Sequence, residues 1–308
     1  MNWIIDTDAG VDDAIAFGMP FAAARGENSF RLIAVTTVAG NCSLAKVNKN
    51  VSAVLDALKQ RTPIYIGCDR PLIEPYQDAA DFHGVDGLGD AGLAVSSRLF
   101  ENEHGALALT RLAREHAGNF GVVALGPLTN IALACNLDDS FAKNVSTLVV
   151  MGGAWRAQGN QTSAGEFNIV VDPESARIVF DRFENIVMLP WEVSLDRMYP
   201  FERMNALANA GTSRADFYYK MTRMGVKDLS GKFKLTGFPL PDPLAVAIAL
   251  DETLITREIH ALVKIDIGRD IGRALTSLDR RSASPNTRVV VDMNFDRAFD
   301  MIDAGMRG

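Results

Sequence analysis

A short apolar run near the start of the chain leads directly into a loop that is crowded with carboxylates. Residues 3–5 (WII) are followed by residues 6–13 (DTDAGVDD), and a helical pattern begins at Ala14. An apolar run, a glycine-containing turn and a helix are typical of the first strand–loop–helix unit of an α/β domain. In such folds ligands bind beyond the carboxyl ends of the strands, which is where this loop would lie.

The loop places four aspartates within eight residues. Carboxylates at this density repel one another unless a cation or a proton intervenes, and oxygen-rich loops suit hard cations such as Ca²⁺ or Mg²⁺. The alternative interpretation is helix capping, because acidic residues in a first turn complement the helix dipole. Capping accounts for Asp12 and Asp13 but not for Asp6 and Asp8 at the strand end. The loop is therefore a candidate metal site.

Composition narrows the class of protein. The 308 residues are 48% hydrophobic and 22% charged with a net charge of −7, which fits a soluble protein that handles small ligands and argues against a nucleic-acid partner. No apolar stretch approaches the roughly 20 residues that a membrane span needs. The three cysteines lie far apart, without the spacing of a zinc site or a disulfide framework. We expect a cytoplasmic protein with reduced thiols and no signal peptide.

Strand and helix patterns alternate through roughly the first 190 residues, which predicts a mainly parallel central sheet flanked by helices. The predicted strands of this part are residues 31–37, 63–67, 121–125, 146–151 and 186–189. Helices are predicted at 202–209 and 213–226, followed by a polar loop at 227–239, and strands return at 259–265, 274–278 and 287–293. We find no repeat or linker, and therefore predict a single α/β domain over residues 1–308 with a helical, lid-bearing insertion.

Two stretches lack clear periodicity. Residues 68–99 are rich in Gly, Asp and Pro, and residues 154–171 are polar and irregular. Loops this long inside a compact domain are usually functional, as lids or binding loops.

Several polar clusters follow predicted strands, and together they resemble the inosine–uridine preferring nucleoside hydrolases. The segments that carry the resemblance occur in family order, with similar separations, over nearly the whole chain: DTDAGVDDAIA, TTVAGN, HGVDG, ALGPLTNIALA, MGGA, GNQTSAGEFNIVVDPESA and DPLAVA. The resemblance implies a nucleoside hydrolase-like fold and a homodimer or homotetramer. It also implies Ca²⁺-dependent hydrolysis of the N-glycosidic bond of ribonucleosides, a reaction with an oxocarbenium-like transition state.

The resemblance also assigns roles to residues of this chain. Asp8 would contact the metal and act as general base towards water, with Asp13, Asp242 and the backbone carbonyl of Leu125 as further metal ligands. Asp6 would orient the loop without touching the ion. The residues that would bind the substrate are Asp12, Asn41, Asn160, Glu166 and Asn168 at the ribose hydroxyls and Met151 on the floor of the site.

Each assignment has a structural alternative. Asn41 and Asn160 follow glycine in turns, where asparagine is common for backbone reasons alone. Asp242 stands between two prolines and is also a plausible helix N-cap. Met151 at a strand end is more often core than ligand contact. The whole series in order, rather than any single residue, favours function.

The sequence departs from the family immediately before Asp242. Many members have a histidine there that protonates the leaving base, whereas this chain has Pro241, which has no proton to donate. General acid help is typically worth roughly 10²–10⁴-fold in rate. His83 is the first candidate for a substitute catalytic acid, because histidine titrates near neutrality. The alternative is a catalytically weak nucleoside- or ribose-binding homologue.

Two further questions stay open at the level of sequence. Base preference depends on loops near residues 70–99 and 220–240, where stacking candidates include Phe82, Trp155, Trp191 and Tyr218 or Tyr219. A phosphotransferase of the haloacid-dehalogenase type also starts with a strand and an Asp-x-Asp motif. Gly10 stands where those enzymes usually have Thr or Val, and the Asp12-Asp13 pair would be unexplained.

Overall fold

A sheet of nine strands forms the centre of the structure, a computed structural model that describes residues 1–23, 30–93, 96 and 98–308. The strand order in the described chain is β10-β9-β11-β6-β5-β4-β1-β2-β3. The bounds of these strands are β1 (Asn2–Thr7), β2 (Arg31–Thr37), β3 (Ile64–Ile66), β4 (Phe120–Ala124), β5 (Thr147–Met151), β6 (Ile186–Leu189), β9 (Ile255–Ile265), β10 (Thr276–Asp279) and β11 (Thr287–Met293). A separate antiparallel pair consists of β7 (Tyr199–Pro200) and β8 (Gly237–Phe238).

Strand direction divides the sheet into two parts. The seven strands from β3 to β11 in spatial order pair in parallel. At one edge β9 pairs antiparallel with both β11 and β10, so that among the described strands of this sheet β9 alone runs opposite to the others. The chain order of the strands reverses between β1 and β4: β2 and β3 lie on one side of β1, and β5 and β6 lie beyond β4 on the other. This is the switch point at which open α/β sheets form a crevice for ligands. The predicted mainly parallel sheet is thus confirmed.

Helices cover both faces of the sheet. Their bounds are α1 (Val11–Ala23), α2 (Leu44–Ala57), α3 (Ala80–His83), α4 (Gly105–Glu115), α5 (Thr129–Leu137), α6 (Phe141–Asn144), α7 (Phe167–Val171), α8 (Pro173–Arg182), α9 (Trp191–Asp196), α10 (Phe201–Asn205), α11 (Ser213–Gly231), α12 (Pro241–Leu250) and α13 (Phe295–Arg307). Short 3-10 turns follow at Ala206–Asn209 and Glu252–Leu254. Among these described helices, none is both long and apolar enough to cross a membrane.

The first strand shows why the apolar runs become central strands. Side chains alternate between the faces of a strand, so Trp3 and Ile5 pack into one hydrophobic core and Ile4 into the other. A parallel strand with helices on both sides is buried on both faces, which is why it reads as a continuous apolar run. Helix α12 is apolar almost all round and is buried along most of its length. Its first turn therefore carries Asp242 into the interior.

Most predicted elements are present, and the differences have local causes. Strands 31–37, 186–189 and 287–293 have the predicted bounds. The predicted loop at 227–239 is wrong in its first part, because α11 continues to Gly231 as a polar, exposed helical surface. Within the predicted irregular stretch 154–171, residues from Phe167 onward form α7, which Glu166 caps. Part of the predicted long loop, residues 94, 95 and 97, lies outside the described residues.

Candidate active site

The carboxylate loop joins β1 to α1 at the switch point of the sheet. Ala9 adopts a left-handed conformation with φ of 47°, and its N–H donates to Thr7 Oγ1 at 3.0 Å. The Gly10 N–H donates to Asp13 Oδ2 at 2.8 Å, and the Thr7 hydroxyl donates to Asp13 Oδ1. A Cβ on Gly10 would lie 2.7 Å from both Asn41 Nδ2 and His83 Nδ1. Glycine at this position lets both side chains approach the loop.

Two of the predicted metal carboxylates, Asp13 and Asp242, and the predicted ribose ligand Asp12 converge at this loop. Carboxylate oxygens of Asp12, Asp13 and Asp242 lie within 4.8 Å of one another, and all three residues are buried. Asn41 connects Asp8 to the same cluster, since its Nδ2 lies 3.1 Å from Asp8 Oδ1 and 3.2 Å from Asp13 Oδ2. The structure therefore brings together four aspartates, three from the first loop and one from the start of α12.

Burial makes the charged forms of these aspartates unfavourable. It raises the pKa of Asp8, Asp13 and Asp242 above the usual aspartate range, and the neighbouring carboxylates raise each of them further. The pKa of Asp12 rises to about 6, again mainly through burial. Within the described part of the chain, no lysine or arginine forms an ion pair with any of the four. In the described part of the chain their negative charge is therefore met by hydrogen bonds and not by a basic side chain.

The donor set fits a hard divalent cation. Asp12 Oδ1 is buried and has no hydrogen-bond partner among the described residues, which is unusual for a buried polar atom. The side-chain atoms of the cluster that could bind a metal are all carboxylate oxygens, the ligand type that Ca²⁺ and Mg²⁺ prefer. Asp6, the fourth aspartate of the loop, points elsewhere and accepts hydrogen bonds from Thr36 and Asn130.

The backbone carbonyl of Leu125 lies at the end of β4, next to this cluster in the fold. It accepts a hydrogen bond from Asn168 Nδ2 at 2.7 Å, and the Leu125 N–H donates to the Asp6 carbonyl at 2.8 Å. Asn168 Nδ2 also donates to the Met151 carbonyl at 3.2 Å. Asn168 of α7 thus joins the ends of β4 and β5, and the backbone bond from Leu125 to Asp6 joins β4 to β1.

A cavity of about 300 Å³ opens over the carbonyl and carboxylate groups. The predicted site residues that line it are Asp12, Asn41, His83, Leu125, Met151, Asn160, Glu166, Asn168 and Asp242. Asp8 and Asp13 are fully buried and are linked to the cavity wall through Asn41. The positively charged residue types, lysine and arginine, are absent from the described lining.

Comparison with known proteins identifies the family of the chain. The family model described as "Inosine-uridine preferring nucleoside hydrolase" matches residues 3–300. The chain belongs to this family. The nucleoside hydrolase resemblance seen in the sequence and the expectation of an enzyme are thereby confirmed, and the phosphotransferase alternative is excluded.

Individual relatives match almost the whole length of this nucleoside hydrolase. An inosine-uridine preferring nucleoside hydrolase from Crithidia fasciculata is 30% identical, covering 97% of this chain and 95% of its own. A pyrimidine-specific ribonucleoside hydrolase from Escherichia coli is 28% identical, covering 99% of this chain and 96% of its own. The solved structure of a plant nucleoside hydrolase, 25% identical, has a TM-score of 0.92 and covers 100% of this chain and 99% of that one.

Glu166 and Asn160 form one wall of the nucleoside hydrolase cavity. Glu166 is 2% exposed, and its two oxygens accept the N–H groups of Asn168 at 3.1 Å and Gly153 at 3.0 Å. Burial raises the pKa of Glu166 to about 7. Asn160 is exposed, and its Oδ1 accepts the Phe167 N–H at 2.8 Å. The amide nitrogen of Asn160 remains available to a ligand.

His83 forms part of the opposite wall. It ends α3, and its ring is buried with Nδ1 accepting the Val11 N–H at 3.2 Å. Asp12 Oδ1 lies 3.9 Å from the same nitrogen. Burial lowers the pKa of His83 to about 4, against a smaller opposing effect of Asp13. The imidazole is therefore neutral near pH 7, and with Nδ1 as the acceptor its proton lies on Nε2.

The remainder of the cavity wall is largely apolar. Pro241 does line it, together with two of the predicted stacking candidates, Phe82 and Trp191. Tyr218 is a core residue instead, fully buried with its hydroxyl donating to the Ala14 carbonyl at 3.0 Å. Sequence reasoning missed the lining residues Gln161, Leu195, Leu235 and Pro239. They lie in loops and short helices whose patterns carry no chemical signal, and only the tertiary fold identifies them.

Proposed function

We propose that this protein hydrolyses the N-glycosidic bond of ribonucleosides with the help of Ca²⁺, releasing free base and ribose. Asp8, Asp13, Asp242 and the Leu125 carbonyl would hold the ion. The observation that carries the proposal is the buried carboxylate cluster beside the cavity, in which each pKa is raised and no basic side chain offsets the charge. When bound, a divalent cation offsets this charge and increases the acidity of water in the site.

Asp8 is the proposed general base. Its two oxygens accept from the N–H and the side-chain amide of Asn41, which fixes the plane of the carboxylate before a substrate arrives. Each oxygen retains a second lone pair for the proton of the attacking water. A base that is already oriented avoids the loss of rate that follows from misplacement of the reacting groups.

The ribose half of the substrate is assigned to the polar wall. The unpaired Asp12 Oδ1 and the Glu166 carboxylate are acceptors for ribose hydroxyls, and the amides of Asn41, Asn160 and Asn168 are donors. Positive charge develops on the ribosyl ring as the bond to the base breaks. Fixed carboxylates beside the ring stabilise that charge more in the transition state than in the ground state.

Departure of the base proceeds without a proton from residue 241, because Pro241 occupies that part of the wall. The neutral His83 can donate a hydrogen bond from Nε2 to the leaving base, but its low pKa means that imidazolium is scarce near pH 7. His83 is thus proposed as a hydrogen-bond donor to the base. The same Pro241 observation favours the second candidate function, a nucleoside- or ribose-binding homologue with little turnover.

A panel of substrates separates these two functions. Release of base and reducing sugar should be measured for purine and pyrimidine ribonucleosides, with calcium and with chelator, using nucleoside 5′-monophosphates as the control. We expect turnover of one or more ribonucleosides in calcium only, and none of the monophosphates, because the described lining offers a phosphate no cationic side chain. Binding of ribose without turnover of any nucleoside would establish the binding homologue.

The resemblance also supports proposals about the cellular setting. We propose a cytoplasmic homodimer or homotetramer that serves purine or pyrimidine salvage. The support is the family membership of the chain and its acidic, cysteine-poor composition.

A further inference from the structure

Glu192 is a buried carboxylate that the proposed mechanism does not use. It is the second residue of α9, directly beyond the end of β6, and only 1% of it is exposed. Its Oε2 accepts the N–H of Trp155 at 3.0 Å, and its Oε1 accepts the N–H of Arg156 at 2.9 Å. Hydrogen bonds to a charged acceptor are stronger than neutral ones. One side chain therefore fixes two consecutive peptide groups of the loop that follows β5.

Trp191 adds two more hydrogen bonds to the same loop. Its backbone N–H donates to the Gly153 carbonyl at 3.2 Å, and its indole N–H donates to the Gln158 carbonyl at 2.6 Å. The indole also lines the cavity. Residues 191 and 192 thus hold the segment from 153 to 158 by four hydrogen bonds along its length.

The next segment of the chain, residues 159–165, is a turn closed on itself. The N–H groups of Gln161 and Thr162 both donate to the Gly165 carbonyl at 3.2 Å. A Cβ on Gly159 would lie 2.2 Å from that same carbonyl oxygen, so the turn closes only with glycine there. These internal bonds couple the positions of Asn160 and Gln161 to the rest of the turn. Asn160 and Gln161 project from it into the cavity wall.

We propose that Glu192 is a positioning residue which, through the amides of Trp155 and Arg156, sets the place of Asn160 and Gln161 in the cavity and hence the affinity for the ribose of the substrate. The proposal rests on the proposed function, because it takes the cavity as a ribonucleoside site. Glu192 itself is absent from the described cavity lining. Its effect therefore passes through the loop rather than through contact with the substrate.

Asp196 supplies a matched control on the same helix and the same loop. Its Oδ1 lies 2.8 Å from Arg156 Nη2, but the side chains of Asp196 and Arg156 are 41% and 40% exposed. Ion pairs at this exposure contribute little. Asp196→Asn removes a carboxylate that contacts residue 156 without disturbing the buried backbone bonds.

The experiment compares Glu192→Gln with Asp196→Asn. D-Ribose, which is not hydrolysed, is titrated by calorimetry into each protein in calcium, and kcat and KM are measured with the best ribonucleoside of the panel. The glutamine amide nitrogen cannot accept an N–H, so one of the two bonds is lost. We expect the Kd for ribose and KM to rise about tenfold, as for one lost bond to a charged group, with kcat nearly unchanged. Asp196→Asn should match the unsubstituted protein.

The double substitution of Asn160→Ala with Gln161→Ala completes the cycle. If Glu192 acts through these two side chains, adding Glu192→Gln to that pair weakens ribose binding no further. Additive losses, or an unchanged Kd in Glu192→Gln, would overturn the proposal while leaving the proposed function intact. Absence of ribose binding and turnover in the unsubstituted protein would overturn both. Should Glu192→Gln fail to fold, Glu192→Asp, which retains the charge but withdraws it by one methylene group, replaces it in the same cycle.

Discussion

Asn41 engages both carboxylate oxygens of Asp8. Its backbone N–H donates to Oδ2 at 2.7 Å and its side-chain amide donates to Oδ1 at 3.1 Å. The two residues follow neighbouring parallel strands, β1 and β2, whose last residues, Thr7 and Thr37, are paired in register. The register of the sheet therefore places Asn41 next to the proposed general base Asp8.

The first prediction concerns this pair. Asn41→Ala removes the side-chain bond to Asp8 and leaves the backbone bond in place, so the carboxylate keeps one of two restraints. We expect kcat/KM to fall roughly tenfold to a hundredfold, which is the cost of one or two such hydrogen bonds. Steady-state kinetics at saturating calcium test it. A variant with unchanged kcat and KM would show that the Asn41 amide orients neither the general base Asp8 nor the ribose of the substrate.

The second prediction concerns Asp8 itself. Asp8→Asn retains the shape but removes the base, and we expect kcat at saturating calcium to fall by roughly 10²–10⁴-fold. The same change removes one of several mutually repelling carboxylates, so the melting temperature in chelator should rise. Calorimetry and kinetics on the same preparation measure both. Asp139→Asn, which removes a carboxylate whose side chain is 91% exposed, is the control and should change neither. Near-normal kcat would remove Asp8 from the base role.

The third prediction concerns pH and the stability of the chelated protein. Burial raises the pKa of Asp12 to about 6 and those of Asp6 and Glu166 to about 7. An acid whose pKa is higher in the folded than in the unfolded state binds more protons when folded. Its contribution to stability is therefore lost as the pH rises from the ordinary value, 3.8 for aspartate and 4.5 for glutamate, to about 6 for Asp12 and about 7 for Asp6 and Glu166.

Asp242→Asn tests this pH dependence at a single buried group, because burial and three neighbouring aspartates raise the pKa of Asp242. In chelator the variant should gain stability over the unsubstituted protein as the pH rises from about 5 to about 8. In calcium the advantage should reverse, because the ion stabilises only the intact, deprotonated site. Denaturant unfolding at the two pH values provides the free energies. A difference independent of pH would contradict the raised pKa.

The fourth prediction concerns His83. Because its pKa is lowered to about 4, the pH profile of kcat should show no limb near the ordinary histidine value of 6.5. His83→Ala should lower kcat more than it weakens ribose binding, since the side chain is proposed to contact the base. Equal losses in both would favour a positioning role. A limb near neutrality that disappears in the variant would instead show that the imidazole titrates as an acid.

Local sequence patterns predicted the sheet and the polar cluster, whereas the protonation state of individual side chains depends on their burial in the fold. Residues 32–35, within the strand at 31–37, are apolar because a parallel strand is covered on both faces, so the predicted and observed strands coincide. His83 shows the opposite case. Its sequence context suggested an acid near neutrality, whereas its depth in the fold and the Val11 N–H at Nδ1 keep it neutral.

The residues that shape the rest of the cavity were beyond prediction for a related reason. Leu195 and Leu235 are ordinary apolar residues until α9 and the segment after α11 place them beside Pro241. In the sequence Glu192 is an ordinary charged residue of a short segment. Its hydrogen bonds to the N–H groups of Trp155 and Arg156 form only when the loop after β5 packs against it. Long-range packing, which no local pattern encodes, sets these contacts.

Titration of the chelated protein with calcium tests the central claim most directly. Bound ion is counted by calorimetry while release of ribose from a good ribonucleoside substrate is followed in the same samples. With Asp8, Asp13 and Asp242 as the proposed calcium ligands, activity should rise in proportion to bound calcium and saturate at a single ion per chain, and Asp242→Asn should lose both together. Full turnover in chelator, or saturation with calcium without any turnover, would contradict the account.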